Sequence, residues 1–483
     1  MAFCNIKKSF KLFKLWVFLR PFTVMLIVVV MVGVLLMIQT RMKDFIHKNV
    51  VFVQFDVQEN VGVKNLELIK LQNRSNKGEI LSLSNSPYQD FIHNNDISVQ
   101  FDEQIKVGVK NIEPMKLEHR SNKGEILSLS NSPYHNWELF ITDYEEMMKT
   151  LKIFVYPDAF MSNKSSTFSS IFLPHTNPFD PKLGNYFSEH MFKIALLGST
   201  FVTQNPKEAH FYYMPFSINA MRNHPQVHSA SAIEDFVAGY TDRIISEFKF
   251  WNASGGADHF YVYCHSIGRD AASKQQELHH NAIQVTCSSS YFQRLYIAHK
   301  DIGLPQVWPR QHEEALNPPD ARYKLVFFAG RVQNSLARQD LLELWKNDSS
   351  FDIFSGSSSF PYKEGFRRSR YCLHVKGYEV NTARVSDAIQ HGCVPVLISN
   401  YYDLPLANVL DWSKFSIIVN ERDIPHLKKI LLSVPRRTYF NMYKNLGIVR
   451  RHFAWYSSPK EYDSFHMTVY QLWIRKGLHR VAW

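Results

Sequence analysis

Tyr371–Asn400 reads YCLHVKGYEVNTARVSDAIQHGCVPVLISN, and its rhythm decides the fold. Tyr371–Val375 predicts a buried strand, Lys376-Gly377 a turn, Thr382–His391 a short helix, and Val394–Ser399, after Gly392, a second apolar strand. Such a βαβ unit sets a helix N-terminus beside the carboxyl end of a strand, where unpaired N–H groups can receive a phosphate. The stretch is a candidate nucleotide-binding half-site.

The same rhythm continues on both sides. Lys324–Arg331 (KLVFFAGR) is apolar at consecutive positions, as expected of a parallel strand covered on both faces. A helix over Leu336–Lys346 and a strand over Phe351–Ser355 precede the opening stretch. A strand over Phe415–Val419 and a helix over Ile424–Val434, capped by Asp423, follow it. Upstream, strands are predicted at Leu151–Pro157, Ser199–Thr203, His210–Pro215, Phe260–Cys264 and within Asn281–Ser290. Helices are predicted at Glu138–Thr150, around Tyr186–Met191 and at Ile233–Phe248. Two runs of alternating β and α elements predict an α/β protein of two Rossmann-like lobes, an N-terminal one over 148–315 and a C-terminal one over 320–438. A helical tail, 439–483, is free to pack back across either.

Length and composition fit this reading. The 483 residues are 45% apolar and 14% aromatic, enough for two cores plus accessories. The net charge of +11 comes from 55 Lys and Arg against 44 Asp and Glu, but Lys7, Lys8, Lys11, Lys14 and Arg20 all fall in the segment 1–20. No long Lys/Arg run and no nucleic-acid motif marks the globular part, which argues against nucleic acid as a partner. Those cations precede Pro21–Ile38, an uncharged run that as a helix spans about 27 Å, close to a thin bilayer. The run exceeds a signal-peptide h-region, and Met37–Thr40 lacks the small-residue cleavage pattern, so one transmembrane signal anchor is expected at 21–38. Residues 1–20 then form a cytosolic tail and the remainder is luminal, the type II topology.

Four sequons, at Asn73, Asn163, Asn252 and Asn347, agree with a luminal side. Cys264, Cys287, Cys372 and Cys393 would then face an oxidising compartment. Their spacing invites the pairs Cys264–Cys287 and Cys372–Cys393, although sequence alone allows three connectivities and also free buried thiols. RSNKGEILSLSNSPY occurs at Arg74–Tyr88 and unchanged at Arg120–Tyr134, while VGVKN recurs at Val61 and Val107, a tandem duplication with a period of 46 residues. Two polar copies are too few for a stacked solenoid, so 41–136 is expected to be a stem that holds the lobes off the membrane.

A nucleotide donor held in one lobe and an acceptor in the other would meet at the cleft between strand ends. Arg384 and Asp387 lie one helical turn apart. Asp387 fits a ribose hydroxyl, and Arg384, with Arg331 or Arg338, fits a diphosphate; the plainer alternative is an i, i+3 ion pair. Glu379, on the turn after Gly377, fits a sugar or ribose contact, or else a helix N-terminal charge. A base is sought across the cleft. Asp258, His259 and His265 are the candidates, the two histidines read as flanking one strand end, with Glu189, His190, Glu208 and His210 behind them. Each, taken alone, is more often structural. There is no H-E-x-x-H, no G-x-S-x-G elbow, no cluster of metal ligands and no D-x-D triplet, which speaks against hydrolases and against a metal-bridged diphosphate.

From about Leu151 to Met467 the chain resembles the exostosin-like glycosyltransferases, glycosyltransferase family 47, in their plant branch. The resemblance rests on KIFVYP at Lys152, NPKEAHFYYMPFS at Asn205, GGADHF at Gly255, FFAG at Phe327, CLHVKGYEVNTAR at Cys372, CVPVLIS at Cys393, LPLANVLDW at Leu404 and RRHF at Arg450, in that order. It implies a two-lobe GT-B fold and a Golgi type II membrane enzyme. It also implies inverting transfer from a nucleotide sugar, usually UDP-linked, onto a cell-wall polysaccharide, with no obligatory metal and no permanently bound cofactor. By position, Glu379, Arg384 and Asp387 match the donor-lobe motif. Many members have Glu where this chain has Asp387, which draws the carboxylate back by one methylene. Many plant members read C-H-D-W-G-P where this chain has Cys264-His265-Ser266-Ile267-Gly268-Arg269, so an Asp base is missing there; a sub-branch shares CHSIGR. The competing expectation is a non-catalytic Golgi scaffold that keeps the fold beside other glycosyltransferases. A nucleotide-sugar-binding sensor is a third.

Overall fold

The computed structural model describes residues 131–157, 168–174, 177, 179–292, 296–309, 315–333, 335–356 and 361–479. The expected cytosolic tail, the anchor at 21–38, the stem up to residue 130, and the sequons at Asn73 and Asn163 lie outside them. No helix among the described residues is long and apolar enough to cross a membrane.

Two parallel sheets organise the described chain. The first holds β1 (Ile153–Val155), β2 (Val202–Thr203), β3 (Phe211–Tyr213), β4 (His259–Tyr263), β5 (Ile283–Thr286) and β6 (Ile302–Gly303), in the order β2-β1-β3-β4-β5-β6. The second holds β7 (Lys324–Ala329), β8 (Phe351–Phe354), β9 (Ser369–Val375), β10 (Val394–Ile398) and β11 (Ile417–Ile418), in the order β11-β10-β9-β7-β8. Both sheets therefore wind the same way, with the reversal falling between β1 and β3 in one and between β7 and β9 in the other. At such a reversal the loops leave neighbouring strands toward opposite faces, and a crevice opens outside the carboxyl ends.

Burial on both faces explains the continuous apolar runs. In β4, Phe260 and Val262 join one core, while Tyr261 and Tyr263 join the core on the other face. Helix Phe187–Leu197 covers the first face through Phe187, Met191, Phe192 and Leu196, all 1% exposed or less, each burial contributing about 1.5–3 kcal/mol. Helix Ala230–Glu247 covers the second face, and Ser229 caps it by accepting from Ala232 N at 3.2 Å. In the second sheet Tyr371, Leu373 and Val375 of β9 join the larger core, and Cys372 turns to a small cluster with Phe327 and Phe366. Disulfides Cys372–Cys393 and Cys264–Cys287 are both formed. The first ties β9 to the turn before β10, and the second ties the carboxyl ends of β4 and β5.

Several element boundaries differ from expectation. The helix of the opening stretch starts at Arg384 rather than Thr382, whose hydroxyl instead accepts from Arg384 N at 3.3 Å. Asp423 is not a cap. Asn420 accepts from Arg422 N at 3.0 Å, and Pro425, without an N–H, splits the expected helix into a 3₁₀ turn, Glu421–His426, and a helix, Leu427–Leu432. Structure also begins before residue 137. Tyr134, the last residue of the second repeat copy, is 7% exposed, bridges Leu410, and its hydroxyl bonds His452 Nε2 at 2.8 Å. The tail meets both sheets: helix Arg436–Val449 packs on β10, and helix Ser464–His479 packs on helix Phe187–Leu197 and β6.

Candidate active site

The carboxyl ends of the two sheets face each other. The segment after β5 and the segment after β10 are stitched by Tyr291 N donating to Tyr401 O at 2.9 Å and Asp403 N donating to Ser289 O at 3.1 Å. A side-chain contact completes the junction: Glu379, after β9, reaches Arg269 at 3.3 Å and Ser288 Oγ at 2.5 Å, which lie after β4 and β5.

Two arginines occupy the reversal in the second sheet. Arg338, on helix Leu336–Trp345, is 7% exposed and donates from Nε and Nη2 to Val375 O at 3.1 and 2.9 Å, and from Nη1 to Arg331 O at 2.8 Å. It thereby clamps the carboxyl end of β9 to the loop after β7. Arg384 donates from Nε to Ala329 O, the end of β7, at 2.5 Å, while its two terminal nitrogens have no partner among the described residues. Both guanidinium groups lie over the Phe328 ring, at 5.8 and 5.5 Å from its centroid. Burial, and then the charge of Arg384, push Arg338 down to about 9. Two cations share this crevice with no carboxylate paired to either among the described residues, which is an electrostatic setting suited to an anion.

Glycine makes the clamp fit. A Cβ on Gly330 would lie 2.5 Å from Arg384 Nη2, and one on Gly377 would lie 2.8 Å from Arg338 Nη2. Gly330 directly follows β7 and Gly377 lies two residues past β9, so the backbone leaves room for a guanidinium at each strand end.

The loop between β9 and the helix at Arg384 is pinned throughout. Ser335 Oγ donates to Lys376 O at 2.7 Å, Gly377 N to Glu379 O at 3.1 Å, and Ser399 Oγ to Val380 O at 2.8 Å. Beneath it His374, 1% exposed, bonds Val380 O through Nε2 at 2.7 Å and Thr382 Oγ1 through Nδ1 at 3.1 Å. With Nε2–H donating to the carbonyl, Nδ1 accepts from the threonine, so the ring is neutral; burial pushes it down to about 3. Glu379 is thus aimed across the cleft instead of back at the crevice of Arg338 and Arg384.

The remaining candidates separate. Arg331 is exposed and contributes its carbonyl to the clamp. Asp387 is 1% exposed, with Oδ2 accepting from Tyr362 OH at 3.0 Å. Asp258 and His259 precede and begin β4 while His265 follows it, so they flank opposite ends of the strand. His259 is fully buried, bonded to Asp258 Oδ1 at 2.8 Å and Tyr156 OH at 2.7 Å, and burial lowers its pKa. It is a core histidine. His265 does reach the cleft, stacked on Tyr186 at 5.0 Å, but its Nδ1 accepts from Ile267 N at 3.2 Å. Burial and Arg222 lower its pKa, and a neutral ring with Nδ1 occupied presents Nε2–H, a donor and not a base. Glu189 is 4% exposed and spends Oε1 on Ser217 Oγ (2.5 Å) and Asn219 N (3.3 Å), and Oε2 on Cys264 N (3.0 Å). Glu208 bonds Asn205 at 2.8 Å and His210 accepts from Lys152 N at 3.1 Å, both ahead of β3 and away from the cleft.

These elements fall within residues 147–434, which match the exostosin GT47 domain over more than half of the chain. The chain belongs to the exostosin GT47 family. A probable glycosyltransferase of Arabidopsis thaliana is 34% identical over 354 residues, 71% of this chain and 65% of that protein. A probable beta-1,4-xylosyltransferase of Arabidopsis thaliana is 27% identical over 295 residues, 57% of this chain and 72% of that protein. A probable glucuronosyltransferase of Oryza sativa subsp. japonica is 28% identical over 277 residues, 53% and 64% respectively. The chain spans about 60% of the length of the curated relatives it matches first.

In this exostosin GT47 chain, residues that support the site without bearing its charge escape sequence reading. Gly330, Gly377, His374 and Ser288 are such cases. The sequence signal for the glycines is their place within two residues of the end of an apolar strand. Among the described residues no group of three or more His, Cys, Asp or Glu suited to a metal ion lies together.

Proposed function

We propose that the protein is a glycosyltransferase of the GT-B type that moves a sugar, with inversion, from a UDP-linked donor onto a cell-wall polysaccharide. The observation that carries this reading is Arg384: a guanidinium anchored through Nε to the end of β7, with both terminal nitrogens unpartnered among the described residues, beside buried Arg338 at the sheet reversal. There it would meet the diphosphate and offset the charge that develops as the nucleotide departs. Family membership and the named activities of the xylosyl- and glucuronosyltransferase relatives support the reaction class and the wall acceptor.

A Golgi location with type II topology belongs to the same proposal. It draws support from the basic segment before Pro21–Ile38 and from two disulfides, which persist in oxidising compartments. Of the four sequons, Asn252 and Asn347 are described, and both are exposed.

The test is binding of UDP and of UDP-xylose, UDP-galactose, UDP-arabinose and UDP-glucuronate to the purified chain, with Arg384→Gln alongside. The reading expects binding that Arg384→Gln weakens by at least tenfold. A scaffold would bind none of them, and its activity in complex with a partner would survive the substitution.

A further inference from the structure

We propose that Glu379 is the general base of the transfer: held from across the cleft by Arg269 and Ser288, it takes the proton of the acceptor hydroxyl on Oε1. This deepens the glycosyltransferase reading and rests on it.

Inverting transfer needs a proton acceptor on the side of the sugar opposite the departing diphosphate. With the diphosphate at Arg384, that side is the one facing the carboxyl ends of β4 and β5. Three groups that the sequence offers as bases are already committed. Glu189 has both oxygens bonded, His265 presents an N–H, and His259 is sealed in the core. Other carboxylates beside the junction are committed too. Asp403 accepts from Tyr291 OH and Tyr296 OH, and Glu421 accepts from Asn400 N and Lys376 Nζ.

Glu379 differs from all of these. Oε2 alone carries its bonds, to Arg269 Nη1 at 3.3 Å and Ser288 Oγ at 2.5 Å, and Oε1 is buried without a hydrogen-bond partner among the described residues. A buried carboxylate oxygen left open costs free energy, which a hydroxyl brought against it would offset. The backbone behind it is fixed by His374, Ser335 and Ser399, so the carboxylate is oriented before substrate arrives. Its charged and titratable neighbours are Arg269, Tyr186, Tyr263 and His265.

In the step, the acceptor oxygen forms the bond to the anomeric carbon while its proton passes to Glu379 Oε1. The bond from that carbon to the diphosphate oxygen breaks, and its electron pair leaves on the nucleotide, facing Arg384. Arg269 acts as a positioning residue: it touches the base and keeps Oε2 occupied, so that Oε1 is the oxygen presented.

The experiment uses the purified full-length chain with the UDP-sugar and acceptor pair on which the wild type turns over. Glu379→Gln lowers kcat by at least about 100-fold, the usual worth of a positioned base, with the Kd for UDP within threefold of wild type. Arg269→Gln lowers kcat at unchanged UDP affinity, and Arg269→Lys restores part of it. Turnover of Glu379→Gln within fivefold of wild type overturns the assignment, as does a loss of UDP affinity as large as the loss of turnover, which would make Glu379 a donor contact. Should Glu379→Gln fail to fold, Glu379→Asp decides in its place: a tenfold or greater fall in kcat at constant UDP affinity supports the assignment, and unchanged kcat overturns it. A wild-type chain that neither binds UDP nor transfers sugar refutes the glycosyltransferase reading itself, before any variant is compared.

Discussion

Adding one methyl group at Gly330 should disable the donor site without touching a charged residue. The new Cβ would lie 2.5 Å from Arg384 Nη2, 3.0 Å from its Cζ and 3.2 Å from Phe328 Cζ. Ordinary carbon contacts begin at about 3.4 Å, so the guanidinium must retreat by roughly 1 Å while its Nε is tethered to Ala329 O. A hydrogen bond to a charged group is worth about 1.5–3 kcal/mol, and a shift of that size forfeits at least one, so UDP affinity falls by about 10- to 100-fold. Stability changes little, since alanine also lowers the entropy of the unfolded chain by about 0.4–1 kcal/mol. Isothermal titration with UDP measures the affinity, and thermal melting measures the rest. Because the methyl acts through Arg384, Gly330→Ala in an Arg384→Gln background should cost nothing more. Wild-type affinity in Gly330→Ala, or costs that add in the double variant, would refute the argument.

Arg338→Leu should cost stability more than specificity, about 2–4 kcal/mol by urea unfolding, because three carbonyl contacts of a buried guanidinium vanish together. Acid should destabilise the fold through His374 and His452, both pushed by burial from the ordinary 6.5 to about 3. The unfolded chain takes up those protons first, so this stability is complete above pH 6.5 and is lost as pH falls toward 3, by about 1.4 kcal/mol per pH unit for each ring. His452→Gln should remove one ring's share of the slope in melts run from pH 7 to 4. Replacing Cys372 and Cys393 together by serine should cost about 3 kcal/mol, given the 21-residue separation they close, again read by urea unfolding.

Much of the fold was legible because parallel strands buried on both faces leave unbroken apolar runs. Lys324–Ala329 and Val394–Ile398 are such runs in the second sheet, and Phe260–Tyr263 is one in the first. What stayed hidden was short or depended on competition. β6 is two residues long, too short for any period. The helix start at Arg384 depends on Thr382 and His374 binding each other, a contact between residues eight apart that no local pattern reveals. Arg384 was legible as a cation beside the strand ends of the second sheet, whereas the contact of buried Asp387 with Tyr362 was not, because helical spacing alone does not say what covers a helix face. Glu379, the proposed base, went unrecognised in that role for a different reason. Asp258, His259 and His265 lie close in sequence, but β4 carries the first two and the last to opposite ends. Glu379 meets Arg269 and Ser288 only after 110 and 91 residues of intervening chain are folded.

The most direct test of the whole account is nucleotide release from a panel of UDP-sugars offered with wall polysaccharides, comparing the wild-type chain with Arg384→Gln. The account predicts that at least one donor gives acceptor-dependent release of UDP, lost by tenfold or more in the variant. Release that is absent for every donor, or unchanged in Arg384→Gln, would contradict it.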